Sequence, residues 1–97
     1  MNNEFHNFNE IAMDVVKKIR FADVLDKTLV DKLYMSLDNI FIIYKTEVLV
    51  PKTLVYNILV LHDNLEGALN YYSGEDKKAM ANINSKVNQY IEKILFS

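Results

Sequence analysis

Residues Thr28 to Pro51 read TLVDKLYMSLDNIFIIYKTEVLVP, and the fold turns on whether this stretch is helix or strand. The half from Ile40 to Val50 is rich in β-branched and aromatic residues, which suit a pleated strand. Against that, Leu29, Val30, Leu33, Leu37, Ile40, Phe41, Tyr44 and Val48 form one unbroken stripe at helical spacing. A strand here would also lack a partner elsewhere in the chain. A helix is therefore expected from about 28 to 47. Thr28-Leu29-Val30-Asp31 resembles a capping box, with Asp in place of the longer Glu. Pro51 closes the stretch, because the residue before a proline is pushed away from helical angles.

Toward the N-terminus, Phe5, Phe8, Ile11, Ala12, Val15, Val16 and Ile19 share one face of a helix over 3–20. Glu4 and Glu10 fall early and Lys17, Lys18 and Arg20 late, which complements the helix dipole. Toward the C-terminus, proline is comfortable in a first helical turn, so a third helix is expected over 51–72. Its inner face is Leu54, Val55, Ile58, Leu61, Leu65, Leu69 and Tyr72. Gly67 within it costs about 1 kcal/mol relative to Ala and marks either close packing or a local weakness. Ser73-Gly74-Glu75-Asp76 is the clearest boundary: Ser73 can cap, Gly74 permits the turn, and the two acids meet the positive end of the next helix. Met80, Ile83, Val87, Tyr90, Ile91, Ile94 and Leu95 then mark a fourth helix over 74–96.

Helices of about 18–22 residues are roughly 27–33 Å long, and short connections set consecutive helices antiparallel. The expected fold is all-α, an antiparallel up-down-up-down four-helix bundle forming a single domain over 1–97. Composition agrees. The 97 residues are 51% apolar and 25% charged, enough for one core, and 2 Gly with 1 Pro are too few for the turns of an all-β protein. No segment approaches the roughly 20 apolar residues of a membrane span. Met1-Asn2-Asn3-Glu4 lacks the features of a secretion signal, so a cytoplasmic location is expected.

Several kinds of chemistry are disfavoured. The absence of cysteine removes disulfides, thiolate metal sites and a cysteine nucleophile. A net charge of −2 argues against nonspecific capture of nucleic acid or anionic lipid. The last helix carries Lys77, Lys78, Lys86 and Lys93 against Glu75, Asp76 and Glu92, too balanced for a helix-turn-helix on DNA. Arg20 is the one arginine, whereas helical enzymes that grip carboxylate or phosphate use several. There is no Gly-rich phosphate loop, and Ser36, Ser73, Ser85 and Ser97 have no histidine at helical spacing. No catalysis and no cofactor are expected. His62 and Glu66, four apart, could hold a metal. A closed zinc site wants four ligands, however, and no second such pair exists. His62 is expected instead at the edge of the apolar face, hydrogen-bonded to a neighbour, with His6 solvated and no metal bound.

The informative residues are apolar ones on the wrong side of their helices. Tyr56, Val60 and Tyr71 project nearly opposite Ile58 and Leu69, with Gly67 on the same outer arc. Phe96 leaves the stripe of Val87 and Ile94, and Lys93 lies nearby. Met35 and Ile42, seven apart, oppose Leu37 and Tyr44. Scattered exposed hydrophobes are common, but a stripe of them can mark a partner surface. The primary candidate surface is Tyr56, Val60, Tyr71, Lys93 and Phe96. The secondary one is Met35 with Ile42.

Three features together suggest a family: the second helix Leu29-Val30-Asp31-Lys32-Leu33-Tyr34-Met35-Ser36-Leu37-Asp38, the Val-Pro-Lys-Thr-Leu-Val break from Val50 to Val55, and the Ser-Gly-Glu-Asp connection before a Lys/Asn-rich last helix. Over roughly residues 9–91 this layout resembles the immunity proteins of pediocin-like (class IIa) bacteriocins, of the enterocin A immunity type. The resemblance implies a cytoplasmic four-helix bundle that protects a cell by binding a protein partner without catalysis. That partner would be the membrane mannose phosphotransferase receptor engaged by bacteriocin, approached from inside, with specificity in the C-terminal half. It leaves room for peripheral membrane association, and a monomer is expected over a dimer. Several members continue past the fourth helix, whereas this sequence ends at Ser97, which counts against recognition through a tail. The alternative is a generic helical interaction module, a regulatory or antitoxin-like partner, dimerising through Met35 and Ile42.

Overall fold

The computed structural model describes residues 3–96, and the amphipathic stripes become four α-helices, with no strand among those residues. They are α1 (Asn3–Arg20), α2 (Lys27–Tyr44), α3 (Lys52–Ala68) and α4 (Gly74–Leu95). Buried positions on α3 are Leu54, Ile58, Leu61, Leu65 and Ala68, and on α4 Met80, Ile83, Val87, Tyr90 and Ile94. These steps of three and four carry one seam along each helix and suit long, nearly aligned packing. Phe8, Ala12, Val15, Val16 and Ile19 of α1 and Leu33, Leu37 and Ile40 of α2 complete one continuous core. The side chain of Phe5 lies outside the described residues.

The chain alternates in direction as expected, and its neighbour order adds a feature. Asn57 Nδ2 donates to Asn9 Oδ1 (2.7 Å) and Arg20 Nε to Asn64 Oδ1 (3.4 Å), so α1 lies parallel to α3. The rings of Tyr34 and Tyr90 are 6.3 Å apart where α2 lies against α4. Among the described residues α1 touches α2 and α3, and α4 touches α3 and α2; α2 and α3, consecutive in the chain, sit on a diagonal. The molecule is thus two antiparallel hairpins, α1–α2 and α3–α4, stacked face to face. In a square bundle with 8–10 Å between neighbouring axes the diagonal is about 11–14 Å, within reach of the strap of residues 45–51.

Helix ends differ from the sequence expectation in three places. Asp26, not Thr28, caps α2: its carboxylate accepts from the Leu29 backbone N–H at 2.8 Å, leaving Thr28 inside the first turn. α2 stops at Tyr44 rather than near Glu47, since the chain must turn there to cross the diagonal; Val48 therefore leaves the core stripe and is 94% exposed. α3 stops at Ala68 rather than Tyr72, where Leu69, Asn70 and Tyr71 N–H groups bond carbonyls three residues back and tighten the chain into a turn. Ser73 occupies the cap position of α4 without a side-chain cap bond, and Gly74 takes φ +60, a left-handed angle that favours glycine. Gly67 is not a close-packing point: a Cβ added there would meet nothing within 4 Å.

α1 ends in a six-residue backbone clasp. Asp23 N–H bonds Lys18 C=O (2.8 Å) and Ala22 N–H bonds Ile19 C=O (2.9 Å), with Ala22 at φ 52 in the position usually held by glycine. The turn after α3 grips this clasp from the side. Tyr71 donates its hydroxyl to Ile19 C=O at 3.2 Å, and Tyr72 donates to Asp23 C=O at 2.6 Å.

Candidate interaction surfaces

Most of the polar groups that could have formed a reactive site are paired among themselves. His62 Nδ1 lies 3.0 Å from Asn88 Oδ1 across the α3–α4 seam, and its Nε2 lies 3.7 Å from Glu66 Oε1. Asn84 Nδ2 donates to Glu66 Oε2 at 3.2 Å, while the buried Asn84 Oδ1 has no partner. His62 is thus half-buried at the edge of the apolar face and hydrogen-bonded to a neighbour, as its spacing implied. His6 is exposed and sits 3.3 Å from Glu10. Among the described residues no three His, Asp or Glu side chains converge as metal ligands.

The α2–α4 seam carries a second polar line. Lys86 Nζ sits 5.6 Å from the centre of the Tyr34 ring and Lys93 Nζ 5.7 Å from that of Tyr90, within cation–π range. Burial, a hydrogen bond to the Asp38 carboxylate and the charge of Asp38 together push the Tyr90 hydroxyl up to about 12. Burial and the charge of Asp31 also raise Tyr34. Each of these effects favours the neutral phenol, which stays wedged between the helices.

The off-stripe residues divide between the two ends of the molecule. Tyr56 is 65% exposed, one turn into α3, and Phe96 is 79% exposed just past α4. Both belong to the end where α2 and α4 finish and α3 begins, and Lys93 is exposed on the last turn of α4. Tyr71 is exposed at the opposite end, beyond roughly 18 Å of helix, and its hydroxyl is already engaged with α1. Val60 is half-buried against the core, so it does not join an outer stripe. Its carbonyl accepts from Asn64 Nδ2 at 2.8 Å. Met35 and Ile42 both project from α2 into solvent.

Two surface features carried no clear signal in the sequence. Val48 and Leu49, 94% and 84% exposed, project from the strap next to the end that holds Phe96. Beneath them Lys45, Thr46, Glu47, Val48 and Val50 meet Ile94 and Leu95 around a hollow of about 290 Å³. The other feature is an open groove of about 460 Å³ along α1 and α2, where Phe21 and Leu29 lie among Asp14, Lys17, Lys18, Asp23, Asp26 and Lys32. Its three aspartates and three lysines balance, so its formal charge favours neither an anion nor a cation. Val48 fits a stripe that ran on past Tyr44, which hid it, and Phe21 follows directly on the basic last turn of α1.

In comparisons with family models, curated proteins and solved structures, none matched this chain.

Proposed function

We propose that this chain is a non-catalytic binding protein of the bacteriocin-immunity kind, protecting a cell from pediocin-like peptides by engaging their membrane receptor from the cytoplasmic side. Support comes from the layout of residues 9–91 together with one observation: large apolar side chains, Tyr56 and Phe96 foremost, stand outside a filled core. The seam groups of His62, Asn88, Asn84 Nδ2 and Glu66 are engaged with each other, which leaves the exposed apolar side chains as the candidates for recognition. Among the described residues no helix is long and apolar enough to cross a membrane.

Expression in a sensitive strain tests this. Survival against a panel of pediocin-like peptides should rise, and Tyr56→Ala with Phe96→Ala should reduce the protection while the fold is retained. Unchanged killing across the panel refutes the proposal.

Met35 and Ile42, exposed seven residues apart on α2, favour a second reading, self-association. Light scattering at micromolar concentration separates the two. A dimer weakened by Ile42→Asp supports self-association, and a monomer counts against it.

A further inference from the structure

We infer that the end of the bundle bearing Val48, Leu49 and Phe96 is a contact site for a lipid bilayer surface. Three large apolar side chains project there, from a loop tip and a helix terminus; of them Val48 borders the hollow beneath the strap, while Leu49 and Phe96 line none. A protein partner would need a matching concavity to cover them, whereas a bilayer interface takes projecting side chains one by one. Tyr56, exposed one turn into α3 from the same end, has the amphipathic ring that settles at headgroup level.

The charges around the tip fit the same occupant. Lys45 follows the last residue of α2, Lys52 opens α3 and Lys93 lies in the last turn of α4, so three helices each set a long cationic side chain beside the apolar tip. The stems of Lys45 and Lys52 cover apolar surface while their ammonium groups reach the headgroups, whereas the Lys93 ammonium lies over the Tyr90 ring. Glu47 and Glu92 are the acids in the same segments, leaving a local excess of one positive charge on a chain whose total is −2. Whole-chain charge therefore supplies no attraction to an anionic membrane; apolar insertion supplies most of the binding, and the local lysines orient the molecule end-on and add a weak preference for anionic headgroups. With three side chains inserted, binding is expected to be reversible, in the range of a single myristoyl anchor, about 10⁴ M⁻¹.

Vesicle co-sedimentation tests this without reference to any bacteriocin, so its failure and the failure of the immunity proposal are separate results. Vesicles of phosphatidylcholine with phosphatidylglycerol are compared with phosphatidylcholine alone, at up to millimolar lipid. The full chain should partition onto both, more strongly onto the anionic ones. The double substitution Val48→Asp with Leu49→Asp should weaken partition at least about tenfold. Because both side chains are exposed, helical circular dichroism should be unchanged. Lys45→Glu with Lys52→Glu should abolish the preference for anionic vesicles. No partition at millimolar lipid, or equal partition of the chain and its Val48/Leu49 variant, overturns the inference. So does a concentration-dependent dimer in light scattering that the same variant dissolves, because the tip would then be covered by a second copy.

Discussion

Ala22 should be a site where glycine stabilises the protein. It holds φ 52 at the end of α1, where its N–H bonds Ile19 C=O and the next N–H reaches back to Lys18 C=O. A side chain in this left-handed region costs about 1–2 kcal/mol through the clash of Cβ with the following carbonyl oxygen. Ala22→Gly removes that cost and keeps the backbone bonds, since none involves the alanine methyl. Glycine also loosens the unfolded chain, which returns about 0.4–1 kcal/mol. The net expectation is stabilisation by about 0.5–1 kcal/mol, or a rise in Tm of about 2–8 °C for a domain of this size. Urea unfolding followed by circular dichroism reads this as a higher midpoint at unchanged slope. An unchanged or lower midpoint would refute the strain argument, and with it the claim that the clasp holds Ala22 against its preference.

Two other backbone positions should respond in opposite directions. Gly67→Ala, placing a methyl in open space within α3, should stabilise by up to about 1 kcal/mol, whereas Gly74→Ala at φ +60 should destabilise by about 1–2 kcal/mol; both are read from urea midpoints. Tyr72→Phe deletes the donor to Asp23 C=O and should cost about 0.5–1.5 kcal/mol. The same substitution should speed amide exchange in residues 21–26, and unchanged exchange there would show that the α3–α4 turn does not grip the α1–α2 connection. Tyr90 holds its proton up to about 12 against an ordinary 10.0, so its share of stability is present below pH 10 and lost as pH rises toward 12. Phenolate absorbance should show a late-titrating component near pH 12 that Tyr90→Phe diminishes, with the raised Tyr34 and Tyr72 still above the ordinary value, and the stability of Tyr90→Phe should fall less steeply over that range.

Much of the fold was legible because burial follows spacing. Leu54 through Ala68 and Met80 through Ile94 alternate steps of three and four, and such a pattern on a chain with few turn residues has one outcome. What the stripes do not encode is which helix lies beside which. An apolar face on α2 is satisfied equally by α3 or α4, so the diagonal placement of α2 and α3 was invisible. Helix ends were misread where tertiary demands overrode local pattern: Val48 continues the α2 period, yet the crossing pulls it out of the helix. The left-handed turn at Ala22 carried no glycine to announce it. Among the candidate surface residues, Tyr56, Phe96, Met35 and Ile42 were readable as off-stripe. Val60 was not, because a helix held between two neighbours buries more than one narrow face.

The diagonal strap has a consequence for how the molecule could be taken apart. Its two hairpins behave as half-molecules joined by a single tether, and each satisfies the other's apolar seams through the α1–α3 and α2–α4 contacts. Chain cut within residues 45–51 would leave fragments whose mutual recognition surface is still complete, so the halves should reassemble when mixed. The same geometry lets a straightened tether hand its second hairpin to another copy, giving an exchanged pair that keeps every native helix contact.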